Sequence, residues 1–346
     1  MQLRRPVTLL AVALAGLATA VAGCGSSGGG SSGGGSSSSS KKSIKVGLVT
    51  DIGGLNDRSF NQLAYEGLKP AHSQLGVQIR VLPSKSNSDY VPNLSSLAQQ
   101  HYDLVIGNGF LMASAMDTVA SKFPQTKFAI IDVDQTTLKH KPPNVLGLLF
   151  REQESGYLAG YLAGLYMKAK GGGTIGSVGG QKSPPVDHYI AGYQAGAKAA
   201  DKSIKTLNGY SQDFVDQAKC KELALSQIQQ GAKVVFQVAG QCGLGVIDAA
   251  KEKGVQAIGV DADQSYLGSQ VLTSAIKKVD VAVFDTVKAA QSGQFKGGTD
   301  ETFDLKDDGT GIGKISATGQ KWSSKVKAVE QKIASGKLSN IPDTVK

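Results

Sequence analysis

Short apolar runs recur along this chain, each closed by Asp, Asn or Gly and followed by a helix-like pattern. In the first half they are IKVGLVTD (44–51), DLVIGNG (103–109) and KFAIIDVD (127–134). In the second they are GTIGSVGG (173–180), KVVFQVAG (233–240) and VQAIGVDAD (255–263). Runs of this length predict strands buried on both faces, hence parallel sheets covered by helices on either side. The two halves share one metre. Val46 to Leu104 is 58 positions and Ile175 to Val234 is 59; Leu104 to Phe128 is 24 and Val234 to Ala257 is 23. Matching spacings predict two Rossmann-like α/β lobes of one architecture, opening near Ile44 and near Gly171. In open α/β sheets the carboxyl ends of the strands form the binding rim, so two facing rims make a cleft.

Between the runs, amphipathic stretches such as Tyr157–Met167 and Ala218–Gln229 predict helices. The segment 150–172 is expected to carry the first crossing between lobes and the second lobe's leading helix. A strand over 271–279 and a helix over 281–291 would recross, 302–315 would cross again, and 321–336 would form a last helix. The expected lobes are therefore 44–150 plus about 278–304, and 151–277 plus about 305–346, with hinge crossovers between them.

The first 43 residues read differently. Arg4 and Arg5 form a basic n-region, Leu9 to Val21 an apolar h-region, and Val21-Ala22-Gly23-Cys24 a small-residue cleavage site, so 1–23 reads as a signal peptide. The h-region is short for a membrane-spanning helix. VAGC resembles the lipobox of bacterial lipoproteins, which implies lipidation of Cys24. Gly25 to Ser40 holds only Gly and Ser, so residues 24–43 read as a lipidated cysteine and a flexible tether. Its root-mean-square reach is roughly 20–25 Å. This places the globular part at a bacterial cell membrane, lipid-anchored on the extracytoplasmic face.

Charge and cysteine count narrow the picture. The formal net charge of +9 falls to +7 once Arg4 and Arg5 leave with the signal. The basic residues are scattered, with no aromatic interleaving and no nucleic-acid-binding motif, which argues against nucleic acid as a partner. With Cys24 lipidated, Cys220 and Cys242 remain as an even pair in an oxidising compartment. A disulfide is open to them, although sequence does not show their Cα atoms within bonding distance. His72, His101, His140 and His188 lie far apart, so a metal site has no support. The Gly-rich stretch 171–183 lacks the G-K-[ST] register of a phosphate loop, because Gln181 separates Gly180 from Lys182. Its glycines are expected to let the second lobe's first strand turn close to the cleft. No cofactor is expected.

Candidate chemistry concentrates at 46–61, VGLVTDIGGLNDRSFN. The strand empties into a Gly loop bearing Asp51, Asp57 and Asn61 beside Phe60, with Arg58 the one basic residue. Such a set suits a neutral polar molecule with a flat hydrogen-bonding face better than a phosphate. Asp57 is read as a cap for the helix that starts near Ser59, since Asp is favoured there. Trp322 is read as packing.

DIGGLNDRSFNQLAYEG (51–67) resembles the opening signature of the basic-membrane-protein family of bacterial lipoproteins, which includes nucleoside-binding components of ABC importers. FREQESGYLAGYLAGL (150–165), GSVGGQKSPPVDHYIAGYQAGAK (176–198), VFQVAGQCGLGVIDAAKEKGVQAIGVDADQ (235–264) and VLTSAIKKVD (271–280) are similar to its later motifs, in order. The resemblance implies a type I periplasmic-binding-protein fold with three crossovers, and a purine-type nucleoside held between two rings. The matching ring positions are Phe60 and Phe214. Base-edge contacts match Asp51, Asn61 and Asp132; ribose contacts match Gly240, Asp261 and Lys277. Lys277 is expected to balance Asp261 in a dry cleft, where an unpaired carboxylate is costly. The implied protein is a monomer that serves an ABC permease with a separate ATPase. Two alternatives stand beside it: a nucleoside-processing enzyme using the cleft carboxylates, and a ligand-sensing receptor lipoprotein of the same fold.

Overall fold

A computed structural model describes residues 43–345, so the signal peptide, Cys24 and nearly all of the tether fall outside the described residues. The chain opens as β1 (Lys45–Thr50), α1 (Phe60–Leu75), β2 (Gln78–Pro83), α2 (Tyr90–Gln99), β3 (Leu104–Asn108), α3 (Ala113–Lys122), β4 (Lys127–Ile131) and β5 (Val145–Phe150). It continues through α4 (Glu152–Lys168), β6 (Thr174–Gly179), α5 (Pro184–Ala200), β7 (Lys205–Tyr210) and α6 (Gln217–Gln229). Then follow β8 (Ala232–Val238), α7 (Leu244–Lys253), β9 (Gln256–Asp261), β10 (Val271–Lys277) and α8 (Val279–Ser292). Finally come β11 (Thr299–Phe303), β12 (Thr310–Ile312) and α9 (Ser323–Ala334).

These strands form two six-stranded sheets, ordered β11-β5-β4-β3-β1-β2 and β12-β10-β9-β8-β6-β7. The central strands sit in equivalent places: β1 lies between β2 and β3, and β6 between β7 and β8. Strand alternation sends apolar side chains to both faces. Val46 and Leu48 join the core shared with α1 and α8, whereas Val49 joins the core shared with α2 and α3. The second sheet is likewise covered on both faces, by α4 and α5 on one and α6 and α7 on the other.

The edges depart from the expected pattern. β12 pairs antiparallel with β10, so the second sheet is mixed and not wholly parallel. β2, β7 and β11 carry many exposed positions, as one-sided edge strands do, and so lack the buried runs that mark the central strands. The triple glycine Gly171–Gly173, all at positive φ, enters β6 at the end opposite the cleft. The close approach to the cleft is made at the other end, by Gly179 and Gly180.

Three segments cross between the sheets. β5 leads into α4, which packs on α5; β10 leads into α8, which packs back on α1; and β11 leads across to β12. The crossings are stitched together. The Phe150 and Phe303 rings stack with centroids 5.1 Å apart. Glu154 accepts from the Leu305 N–H at 2.8 Å and from Arg151 Nε at 2.6 Å.

Helices α4 and α5 meet more closely than side chains normally allow. A Cβ on Gly156 or Gly160 would fall 2.3 or 2.0 Å from the carbonyl oxygen of Tyr189 or Tyr193. A Cβ on Gly192 or Gly196 would meet the carbonyl of Gln153 or Tyr157 at 2.2 or 2.0 Å. The two helices are thus keyed backbone to backbone. Trp322 is buried, its ring edge-on to Tyr166, which is a packing role.

Candidate functional site

The first rim is organised by Asp57. Its carboxylate accepts from the N–H groups of Ser59 (3.0 Å), Asn61 (2.7 Å) and Gln62 (3.1 Å), which have no intrahelical partners at the start of α1. That is a cap. Asp57 also lines the cavity described below. Beside it, Asn61 Nδ2 donates to Asp51 Oδ1 at 2.6 Å, while Asn61 Oδ1 accepts from Asn108 Nδ2 at 2.8 Å. The Gly53 N–H also donates to Asp51 Oδ1. This network fixes the amide orientation of Asn61 and leaves the second oxygen of Asp51 free of these bonds. Burial raises the Asp51 pKa above the usual carboxylate value.

At the exits of β4 and β9 the two lobes present the same device. Asp132 and Asp261 both adopt left-handed backbone, with φ of 68° and 59°. Asp tolerates this conformation better than most residues, and strain of this kind gathers at binding sites. Asp261 accepts from Ser59 Oγ at 2.6 Å and from Tyr189 Oη at 2.9 Å. The Ser59 bond joins the rims of the two lobes, and Gln264 Nε2 adds a second link to the Arg58 carbonyl at 3.2 Å.

Lys277 closes the floor. It is 2 % exposed and its ammonium donates to Asp132 and, at 2.8 Å, to Glu152 Oε1. Its direct partners are therefore Asp132 and Glu152. Tyr189 and Ser59 satisfy Asp261, and Lys277 acts on it only through space. The same ammonium lies 5.1 Å from the Phe60 ring centroid and 4.9 Å from that of Phe150. Glu152 passes its second oxygen to His188 Nδ1 at 3.0 Å.

The charges here do not cancel. Asp132, Glu152 and Asp261 surround one lysine, with His188 beyond. Burial pushes the Asp132 carboxyl up to about 7 even against the pull of Lys277. Burial also raises Asp261. Burial opposes ionisation of Glu152 too, but Lys277 and His188 outweigh it and hold that carboxylate below its ordinary value. A site with surplus acceptors suits a ligand that brings hydroxyl, amine or ring N–H donors.

One cavity between the lobes collects these groups. Asp51, Phe60, Asn61 and Asp132 line it from the first lobe; Phe214, Gly240, Asp261 and Lys277 line it from the second. All eight sequence-nominated ligand residues thus meet at one place. Phe214 reaches it from the loop between β7 and α6, its ring laid against Gly180.

Glu152, Tyr189 and Asn108 also belong to this constellation and were not nominated. Glu152 and Tyr189 fall in FREQESG and PPVDHYIAG, stretches read only as the inter-lobe crossing and as a family motif, while Asn108 ends the strand of DLVIGNG. Polar strand ends were a usable signal for Asn108; the helical residues gave none. Cys220 and Cys242 form a disulfide with Cα atoms 5.6 Å apart. No group of three or more metal-ligating side chains occurs among the described residues. No described helix is long and apolar enough to cross a membrane.

Residues 44–344 match the family described as Bmp, ABC transporter substrate-binding protein PnrA-like. The chain is 36% identical to the ABC transporter nucleoside-binding protein BmpA of Lactococcus lactis subsp. cremoris, covering 97% of this chain and 98% of that one. It is 40% identical to an uncharacterized lipoprotein of Pyrococcus horikoshii, over 87% of this chain and 76% of the relative. Among solved structures, an ABC transporter solute-binding protein from Aeropyrum pernix K1 superposes with a TM-score of 0.77 at 27% identity. That likeness covers 86% of this chain and 94% of the other. The family, the Lactococcus relative and the Aeropyrum structure are described as substrate-, nucleoside- and solute-binding proteins and not as enzymes, which removes the nucleoside-processing alternative. With its two type I lobes, its interlobe cavity and a family match over nearly all of its globular part, the chain belongs to the Bmp family of ABC-transporter substrate-binding proteins.

Proposed function

We propose that this chain is a membrane-anchored lipoprotein that holds a purine-type nucleoside in the interlobe cavity and delivers it to an ABC permease driven by a separate ATPase. The observation that carries the ligand class is the pairing of two rings from opposite lobes, Phe60 and Phe214, over a floor of carboxylates. A flat base gains by stacking between rings, about 1–3 kcal/mol per base in single-stranded nucleic-acid binders. The carboxylates accept from ring N–H, exocyclic amine and paired ribose hydroxyls, and they penalise analogues that lack those donors. The nucleoside-binding name of the Lactococcus relative supports the same reading.

In this reading Asp51, Asn61 and Asp132 meet the base edge, and Gly240, Asp261 and Lys277 meet the ribose. The lobes, 44–150 with 278–304 and 151–277 with 305–346, close on the ligand about the crossings at 150–152, 277–279 and 303–310. Lipidated Cys24 and the Gly/Ser tether hold the monomer at the extracytoplasmic face. Calorimetry with adenosine, guanosine, inosine and uridine tests the ligand class. Purine nucleosides are expected to bind, and Phe60→Ala to weaken them by roughly tenfold or more, the low end of the stacking range. Binding of a sugar or a peptide in place of every nucleoside would sink the reading.

A further inference from the structure

Two loops of the second lobe bring the cleft its second ring and its Gly240 turn, and one covalent bond joins them. The first loop, 211–216, is largely exposed, with Val215 38% exposed and Gln212 in left-handed backbone at φ 57°. Within it the Asp213 carboxylate accepts from the N–H groups of Val215 (2.8 Å) and Asp216 (3.0 Å). These bonds shape the loop from within; its start is tied to the lobe by the Ser211 and Gln212 N–H groups, which donate to the Gly179 and Gly180 carbonyls at 2.9 Å. The second loop, 239–243, places Gly240 and Gln241 on the cavity wall.

The far end of the loop, beyond Phe214, is tied through Cys220 and Cys242. Cys220 lies in α6, six residues after Phe214, and Cys242 lies two residues after Gly240. Both are fully buried in an apolar cluster with Val178, Ala224 and Val246. The Cys242 N–H donates to the Phe214 carbonyl at 3.0 Å. Phe214, the start of α6, the disulfide and the Cys242 amide therefore close a small ring. Inside it the phenyl group has little freedom, because it already lies on Gly180. Phe214 packs against the core and the loop's start is bonded to the lobe, but its exposed end, Val215–Asp216, would open locally more easily without the bond, and a ligand would have to order it on binding.

We propose that the Cys220–Cys242 disulfide is a positioning device of the ligand site, holding the Phe214 ring ready to stack by tying its loop to the Gly240 turn. The proposal uses the nucleoside reading for its ligand but not for its mechanics. Removing the bond loosens the Phe214 jaw and leaves the Phe60 jaw, in the other lobe, as it was. Oxidised protein consequently binds more tightly than protein lacking the bond.

The test is a cycle of variants in which Cys220→Ala/Cys242→Ala is made alone and together with Phe214→Ala. Alanine keeps the pocket apolar, where serine would bury an unpaired hydroxyl. Inosine affinity by calorimetry is expected to fall about tenfold for the cysteine pair alone, the scale of ordering one ring and its loop. In the Phe214→Ala background the same pair should change affinity less than about twofold. An equal factor in both backgrounds would show a merely structural bond and overturn the proposal, as would unchanged affinity. If the alanine pair does not fold, Cys220→Val/Cys242→Ala restores lost volume and takes its place. Ligand-free hydrogen exchange supplies the arm that does not depend on nucleoside binding. The amides of Asp216, Gln217 and Cys242 should exchange faster in the cysteine variant, with β8 and β9 unchanged. Unaltered exchange at Cys242 would overturn the proposal even if wild-type protein bound no nucleoside at all.

Discussion

The loop after β1 and the loop after β7 each bring one aromatic ring to the cleft, and they are held in place by different means. Around Phe60 the support is a polar net: Asp57 caps α1 from within five residues, Asn61 bonds Asp51 ten residues back, and Asn108 joins from the end of β3. Around Phe214 the support is remote in sequence: a glycine on which the ring rests, a carbonyl held by Cys242, and a disulfide. The Asp57 cap forms with its helix, whereas the Asn108 bond and all the supports of Phe214 form only once strands distant in sequence have come together. The difference says where each ring is vulnerable, and between the jaws sits a charged floor that serves both.

The harshest test of the comparison removes that shared floor. Lys277→Met leaves Asp132 and Glu152 buried without their common partner, which should cost about 3–5 kcal/mol in urea denaturation and abolish measurable nucleoside binding. A cost below about 1 kcal/mol would mean that the floor does not couple the lobes. Gly180→Ala strikes the remote jaw alone. A Cβ there falls 2.3 Å from Phe214 Cε1, so the ring must shift. We expect about 1–3 kcal/mol of lost stability from overpacking, together with about tenfold weaker binding in calorimetry. Retained affinity would remove Phe214 from the ligand wall.

Asp57→Ala strikes the local jaw. Three amides at the start of α1 lose their acceptor, and a cap of this kind is worth about 1–2 kcal/mol in thermal or urea unfolding. A neutral result would place the support of Phe60 in Asp51 and Asn61 instead.

The smallest effect is a pH slope set by the floor. Asp132 binds its proton more tightly folded than unfolded, pushed up to about 7 by burial. His188 does so as well: burial opposes its charge, but Glu152 more than offsets that and raises its pKa. Groups raised on folding add stability that is complete below their unfolded pKa values, near 4 for a carboxyl and 6.5 for histidine. That stability is lost as pH rises through the folded values. Stability should therefore decline from pH 5 to pH 8, by at most about 1.4 kcal/mol per pH unit for each proton. Asp132→Asn should flatten the decline in melting temperature over that window, and an unchanged slope would assign it to other groups.

How far the sequence could be read follows from the same division between near and far. The central strands were legible because burial on both faces writes a continuous apolar run, and the repeat spacing paired the lobes. β2, β7 and β11 face solvent in part, so their residues alternate irregularly and gave no such run. β5 is as apolar as its neighbours but runs from Phe150 almost directly into α4, without the polar exit that marked the others. In the site, Asp57 was legible as a cap because its partners lie within five residues. Glu152 and Tyr189 were not, since nothing local tells a helical carboxylate or phenol that it will face a lysine or an aspartate from another strand. For Asp261 the electrical balance with Lys277, which acts through space, was legible, while the hydroxyl donors Ser59 and Tyr189 that bond it were not.

The glycine keying of α4 against α5 bears on how such a protein can diversify. Glu152 begins α4, and His188 and Tyr189 lie in α5, so the spacing of three floor residues is set by one backbone-on-backbone contact. Ordinary drift in side chains around the lobe leaves that spacing untouched, because no side chain stands between the helices at those points. Substitutions in the loops that carry the rings can therefore reshape the cavity wall while these three floor residues keep their spacing.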